Sequence, residues 1–354
     1  MAYTAIDLFA GCGGLSEGLK QANFDVIAAV EINKYAAKTY NLNHRETKVF
    51  DEDIRKLDPN DFRKLLNGSP LFLLAGCPPC QGFSSMRRLN RNSPVEDPRN
   101  DLILEYLRFV EVLQPITLMM ENVPSIVDYP LFKKVYRKLK EIGYNLDYDI
   151  VNVAEYGVPQ RRKRFVLVGS RLAEINIAKG TGLKQTVKDV IGLLESTAVT
   201  SDPIHQIYPK HKERIMEMIK LIPKNGGGRK DLPEEYILSC HKKKGVGFSD
   251  VYGRLKWDDV SSTITGGCLN PSKGRFLHPE EDRCITAREA AMLQTFPRNY
   301  HFPTDIPKGT LALMIGNALP PLFSRIQSEH IYQHLLENYT SNEKSEQQTE
   351  LIYG

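Results

Sequence analysis

No run of apolar residues in this chain approaches the ~18 that a membrane-spanning helix requires. The opening MAYTAIDLFAGCGG lacks the basic flank and apolar stretch of a secretory signal and passes straight into a strand-like pattern. Both absences predict a cytoplasmic protein with no membrane partner. Cysteine is sparse, with six residues in 354: Cys12, Cys77, Cys80, Cys240, Cys268 and Cys284. A chain of this length with no such signal reads as reduced, and it buries enough surface to need neither disulfides nor a structural metal. Charge of one sign is scarce as well. The formal net charge is only +4, which permits a nucleic-acid partner without demanding one. Internal repeats and low-complexity tracts are absent. The composition, 41% hydrophobic and 25% charged, is that of a globular protein, and the length suggests a large domain plus a smaller one.

What is present is an alternation. Short apolar strands are expected at 5–9, 26–31, 71–76, 116–121 and 165–169, with helical periodicity at 102–113 and 131–142. Strands alternating with helices predict an α/β fold with a parallel, doubly wound sheet, whose ligands bind at the carboxyl ends of the strands. Beyond about residue 171 the rhythm breaks. Residues 172–253 hold 13 Lys and Arg against 10 Asp and Glu, and carry the basic stretches Pro223–Lys230 and Cys240–Lys244. This reads as an inserted segment with basic loops, though Lys runs commonly just face water. Helices are expected at 210–221, after a capping box formed by Thr286 and Glu289, and from Pro321 to about Tyr339.

Four short stretches carry chemistry. Asp7–Gly18 is a Gly-rich strand-to-helix turn in which Gly11, Gly13 and Gly14 permit close backbone approach to a ligand. Glu31 ends the next strand about 20 residues on, where an acid accepts ribose hydroxyls. Asp53 is a third contact, suited to an adenine amine, with Ile54 against the ring. Gly76-Cys-Pro-Pro-Cys-Gln-Gly-Phe-Ser84 follows a buried strand and leaves three readings open. Cys77 and Cys80 fit a redox pair, half a zinc site, or a single nucleophilic thiolate at Cys80 held by Pro79. Zinc needs a second ligand pair, which the other cysteines do not form. His44-Arg-Glu46 with C-x-x-C mimics a zinc deaminase signature, but Gly76 stands where that signature has proline. Glu121 ends a strand where a raised pKa allows proton donation. Gln160-Arg-Arg-Lys-Arg164 is a basic cluster before the last strand, suited to a phosphate or a base carbonyl.

Taken in order, Asp7–Gly18, Glu31, Pro79-Cys80-Gln81, Glu121-Asn122-Val123, Gln160-x-Arg162-x-Arg164 and Gly316-Asn317-Ala318 resemble the cytosine-C5 DNA methyltransferase family of the bacterial restriction-modification type. Arg254–Trp257, Ser262–Thr265 and Arg288–Pro297 are similar to the block after that family's recognition domain. The resemblance spans nearly all of the chain except about 172–250, the part that varies with target sequence. It implies a Rossmann-like doubly wound methyltransferase domain over 1–171, a smaller inserted target-recognition domain over 172–286, and a return to the catalytic domain over 287–354.

The implied activity is DNA (cytosine-5)-methyltransferase: the methyl of S-adenosylmethionine passes to C5 of a flipped-out cytosine through a covalent Cys80–C6 adduct, leaving S-adenosylhomocysteine. Cys80 would be the nucleophile, Glu121 the donor at N3, and Arg164 the partner on the O2 side, with Arg162 and Gln160 orienting the cluster. The cofactor contacts implied are Phe9, Ala10, Gly11, Gly13, Gly14, Leu15, Glu31, Ile32, Asp53, Ile54, Pro79, Asn317 and Ala318. For DNA they are Gln81, Ser84, Arg87, Arg88 and Arg91 in the loop after the nucleophile, and Arg229, Lys230, Lys242, Lys243 and Lys244 in the recognition region. No metal is implied. The expected setting is double-stranded DNA at the nucleoid, acted on by a monomer that protects host DNA, with any cognate endonuclease acting independently.

Three rivals remain distinguishable. An RNA methyltransferase of the same fold would carry a Cys-Phe-Thr tripeptide, which this sequence lacks. A non-catalytic DNA-binding regulator would have lost the nucleophile or the acid. A nicotinamide oxidoreductase would leave Pro79-Cys80-Gln81 and Gln160–Arg164 unexplained.

Overall fold

A computed structural model describes residues 3–79, 101–237 and 250–353, with side chains in the last stretch as far as residue 339. Packing divides the chain into two units. The first comprises Met1–Val151, Lys163–Lys179 and Phe323–Gly354, and the second Asn152–Arg162 and Gly180–Leu322. This division by contacts places 287–322 with the second unit, so it differs from the functional division expected from the motifs.

The first unit is built on a seven-stranded sheet. Its strands are β1 (Tyr3–Leu8), β2 (Phe24–Val30), β3 (Lys48–Phe50), β4 (Leu73–Gly76), β5 (Thr117–Asn122), β6 (Asn145–Asn152) and β7 (Lys163–Ser170), in the order β3-β2-β1-β4-β5-β7-β6. Helices α1 (Gly14–Gln21), α2 (Lys34–Asn43), α3 (Pro59–Leu65), α4 (Leu102–Leu113) and α5 (Pro130–Glu141) connect them. β1 pairs in parallel with both β2 and β4, so the strand order reverses direction between β1 and β4. Loops leaving the carboxyl ends of strands at such a reversal frame a crevice. Here those loops are Phe9–Gly13 and Cys77–Pro79.

The expectation of an all-parallel sheet is corrected at one edge. β7 runs antiparallel to β5, with Glu121 opposite Val166 and Asn122 opposite Phe165. The strand pattern alone carried no direction, because a strand buried on both faces reads the same either way. β6 and β3 are elements the sequence reading did not name.

The core explains why these segments hold. Ile6, Leu8, Leu74, Leu118 and Met120 are fully buried, and α4 lays Ile103, Tyr106, Leu107, Val110 and Leu113 against them at helical spacing. The Tyr106 hydroxyl is satisfied inside that core, donating to the Leu74 carbonyl at 3.0 Å. The C-terminal helix, Pro321–Tyr353, extends beyond the expected end near residue 339. Ser324 on this helix donates to the Leu15 carbonyl at 2.8 Å.

The second unit contains α6 (Val187–Ile191), α7 (Glu213–Leu221), α8 (Ala287–Leu293) and α9 (Lys308–Asn317). The Thr286–Glu289 capping box forms as expected and starts α8. Met218, Ile219, Ile222, Val251, Tyr252, Leu277 and Cys284 form a small core. Arg254, fully buried, organises it. Its guanidinium donates to the Ile219 carbonyl at 2.8 Å and the Ile222 carbonyl at 3.0 Å, satisfying the end of α7, and it pairs with Asp282. Among the described residues, no helix is long and apolar enough to cross a membrane, and no group of three or more His, Cys, Asp or Glu side chains is placed to hold a metal ion.

Candidate active site

The turn after β1 is shaped by backbone conformation. Phe9, Gly11 and Gly13 have φ of +64°, +57° and +93°. Such values are natural for glycine and strained for phenylalanine, a sign that the loop's path is imposed by its surroundings. Gly13 caps α1, and its N–H donates to the Ala10 carbonyl at 3.0 Å. Glu31, one residue beyond β2, closes the other wall. Its Oε2 accepts the Gly11 N–H at 2.8 Å and its Oε1 the Asn33 N–H at 2.7 Å. Burial raises the Glu31 pKa, and the two N–H groups work against that rise. Each oxygen keeps a lone pair for a further donor. Ile32 beside it is 62% exposed, a large apolar side chain left open at the rim.

These features fit an adenosine-bearing ligand. The carboxylate suits a ribose diol, and half-buried Phe9 with exposed Ile32 suits an aromatic ring. The other expected contacts are placed less simply. Asp53 is engaged by Arg55, whose Nε and backbone N–H both reach Oδ1, at 3.0 and 3.1 Å. Ile54, Ala10 and Leu15 are buried, and Ile54 belongs to the core, so its side chain presents no open face for a ring. Gly14 is also buried. Asn317 and Ala318 end α9 in the second unit, the first exposed and the second buried.

Behind the turn lies a polar network that the sequence reading missed. Asp7, with no exposed surface, accepts from the Ser16 hydroxyl at 2.6 Å, and Ser16 meets the Tyr40 hydroxyl at 2.7 Å. The second Asp7 oxygen is buried without a hydrogen-bond partner. Desolvation, helped by the nearby Glu31 charge, pushes the Asp7 pKa up to about 7.

The second cluster sits at the ends of β4, β5 and β7. Glu121, 7% exposed, pairs with Arg164, whose Nε lies 2.7 Å from Oε1. Burial lowers the Arg164 pKa, and the Glu121 carboxylate counters it. Arg164 Nη1 also donates to the Lys163 carbonyl at 2.7 Å. The loop from β4 is held twice: the Cys77 N–H donates to the Leu8 carbonyl at 3.2 Å, and Asn122 Nδ2 donates to the Pro78 carbonyl at 2.7 Å. Pro79, half-buried, follows. Asn122 was part of a recognised motif, but its clamp on Pro78 depends on a strand pairing that the sequence does not display.

Cys80, Gln81, Ser84, Arg87, Arg88 and Arg91 lie outside the described residues, as do Lys242, Lys243 and Lys244. Arg229 and Lys230 open a short 3-10 turn, Arg229–Asp231. Lys230 is exposed, and Arg229 is half-buried with Nη1 buried and without a hydrogen-bond partner.

Gln160 and Arg162 belong to the second unit and are buried there. Arg162 donates to the carbonyls of Ile264 at 2.7 Å and Gly316 at 3.0 Å. Gln160 donates to the Leu293 carbonyl at 3.1 Å and accepts the Ile264 N–H at 3.1 Å. Both tie loops of the second unit together.

The sequence model of a family described as C-5 cytosine-specific DNA methylase matches residues 3–333. The type II methylase M.HgiDII of Herpetosiphon aurantiacus is 34% identical over 348 residues, covering 95% of this chain and 96% of that protein. The type II methyltransferase M1.HphI of Haemophilus parahaemolyticus is 31% identical, covering 94% and 87%. Among solved structures, a chain described as a prophage-encoded DNA modification methyltransferase of Escherichia coli aligns with a TM-score of 0.68 at 26% identity, covering 94% of this chain and 99% of that one. A DNMT2 variant of Spodoptera frugiperda aligns with a TM-score of 0.65 at 18% identity, covering 93% and 99%, and shares the fold.

Proposed function

The chain belongs to the C-5 cytosine-specific DNA methylase family and is a DNA cytosine-C5 methyltransferase, and from that membership we propose how its residues divide the work. The observation that carries the proposal is the Glu121–Arg164 pair, held at the carboxyl edge of the sheet beside the pinned Cys77–Pro79 loop.

Cytosine C5 is a poor nucleophile. Cys80, as a thiolate, adds to C6 of the flipped-out base, while Glu121 donates a proton to N3 and so neutralises the charge that develops there. Arg164 holds the Glu121 carboxylate in line with the base edge and faces the O2 side. Electron density released to C5 then takes up the methyl group. A base takes the C5 proton, the C6–S bond breaks to release the Cys80 thiolate, and N3 returns its proton to Glu121. When bound, S-adenosylmethionine supplies a methyl group activated by its sulfonium. Glu31 would accept the ribose hydroxyls, Phe9 and Ile32 would cover the adenine, and Asp53 would receive its amine in competition with Arg55. Flipping the base costs a few kcal/mol, recovered from contacts to the surrounding duplex.

In the cell this assigns the protein to host-DNA protection within a restriction-modification system, as a cytoplasmic monomer, with a cognate endonuclease acting separately. Residues 1–171 and 287–354 form the catalytic module of this reading, and 172–286 the target-recognition module.

Duplex DNA containing 5-fluorocytosine tests the proposal, since fluorine cannot leave C5 as a proton does. With S-adenosylmethionine present, the parent protein forms a stable covalent adduct and Cys80→Ser forms none. A parent protein that gives no adduct overturns the nucleophile assignment. Faster methyl transfer to transfer RNA than to duplex DNA overturns the substrate.

A further inference from the structure

The two cysteines of Cys77-Pro-Pro-Cys80 are usually weighed as a pair, by their spacing. The strand register separates them. β4 and β5 are parallel neighbours, with Ala75 beside Met119 and Gly76 beside Met120. Cys77 is the first residue past β4 and Glu121 the next residue of β5, so the same register continued by one step would bring the two side by side on one face. The backbone of Cys77 is fixed there by its N–H bond to Leu8 at 3.2 Å, and the loop beyond it by the Asn122 bond to Pro78 at 2.7 Å. The Cys77 thiol is half-buried and unbridged, and the charge of the Glu121 carboxylate acts on it directly.

Arg164 grips one oxygen of that carboxylate, Oε1, at 2.7 Å. A carboxyl group held at a single oxygen can still rotate about its last bond. A second donor fixes the plane of the group and therefore the direction in which it meets a base edge. We propose that Cys77 is a positioning residue for Glu121: its S–H donates to an oxygen of the carboxyl group and, with Arg164, locks the acid in the orientation that meets N3 of the cytosine. The proposal rests on the reading of Glu121 as that acid.

The thiol keeps the proton this task needs. Burial and the charges of Glu121 and Asp7 raise its pKa well above the ordinary thiol value, against the opposing effect of Arg164. Cys77 is thereby the donor of the pair, leaving the nucleophile's part to Cys80.

The test is single-turnover methyl transfer to duplex DNA by the full-length parent, Cys77→Ala, Cys77→Ser, Glu121→Gln and the double variant Cys77→Ala/Glu121→Gln, each checked for an unchanged melting temperature. Cys77→Ala should slow transfer about tenfold, the effect of one hydrogen bond to a charged group, with KM for S-adenosylmethionine held within about twofold. Cys77→Ser, which keeps a donor, should recover most of the lost rate. In the Glu121→Gln background, Cys77→Ala should add less than about twofold, because the two residues act as one unit. A Cys77→Ala protein as fast as the parent overturns the proposal. So does a serine variant no better than alanine, or a Cys77→Ala effect that multiplies fully with Glu121→Gln. Should Glu121→Gln itself match the parent, the underlying reading of Glu121 fails instead.

Discussion

Asp7 is a carboxyl group with no route to water, one oxygen bonded to Ser16 and the other to nothing. Its pKa in the folded protein is about 7, against an ordinary value of 3.8. The sign of the effect on stability follows from proton counting. Between those two values the folded chain holds a proton that the unfolded chain has released, so stability falls as pH rises through the interval and levels off above about 7. Asp7→Asn has nothing to titrate and still offers an acceptor to Ser16. The parent should lose roughly 2–3 kcal/mol between pH 5 and pH 8 that Asp7→Asn does not lose. Urea titrations of both proteins at the two pH values read this out. Parallel pH profiles would show that Asp7 is ionised and stabilised in the fold. At this scale the sequence could single out Glu121 because it is a carboxylate at a strand's end inside an ordered set of motifs, and the structure adds its ion pair with Arg164. Asp7 and Asn122 were not singled out for a role, and Cys77 stood only as half of a redox or zinc pair. Their partners Ser16, Pro78 and Glu121 are fixed by strand pairing and loop path, which local spacing does not encode.

At the level of elements, the approach of α1 to the C-terminal helix depends on Gly18. A Cβ there would lie 2.4 Å from the Ser324 Cβ and 2.5 Å from the Arg325 backbone nitrogen. Neither neighbour is a flexible side-chain end, so the helices must separate, and Ser324 must give up its bond to Leu15. Gly18→Ala should cost at least about 1–3 kcal/mol. Gly309, in the first turn of α9, is the control: a Cβ there meets nothing within 4 Å. Gly309→Ala should stabilise by roughly 0.5 kcal/mol through lower chain entropy. Thermal melts of the two variants should shift in opposite directions, and equal shifts would contradict the close packing of α1. The strands around the crevice and α4 could be read from the sequence because each is an unbroken apolar or periodic run. β6, with the pattern Asn-Leu-Asp-Tyr-Asp-Ile-Val-Asn, could not, since it is an edge strand exposed over much of its length. The direction of β7 was equally hidden: strand periodicity has no arrow, and a short connection became evident only once β6 was found.

Over the whole molecule, charge distinguishes the two kinds of basic residue that a DNA enzyme requires. The net charge of +4 is modest, so affinity for a polyanion depends on where the cations sit. The basic character of the inserted region was visible in the sequence. The roles of its individual cations were not, because a lysine facing a phosphate and a lysine facing water look alike in one dimension. The structure separates Arg229 from Lys230. Lys230 is exposed, whereas Arg229 is half-buried and has a buried guanidinium nitrogen, Nη1, that no described residue satisfies. A guanidinium with one nitrogen unsatisfied among the described residues suits a bidentate acceptor such as a guanine edge, whereas a solvated ammonium suits a phosphate. Lys230→Ala should therefore weaken binding to all duplexes alike and reduce the slope of log Kobs against log salt by about 0.9. Arg229→Ala should instead cost about 1–3 kcal/mol on the target sequence alone, narrowing the gap between target and random duplex. Binding isotherms for both duplexes across a salt series separate the two effects. If Arg229→Ala weakened target and random duplexes equally, Arg229 would be a second phosphate contact, and base reading would have to come from elsewhere in the recognition region.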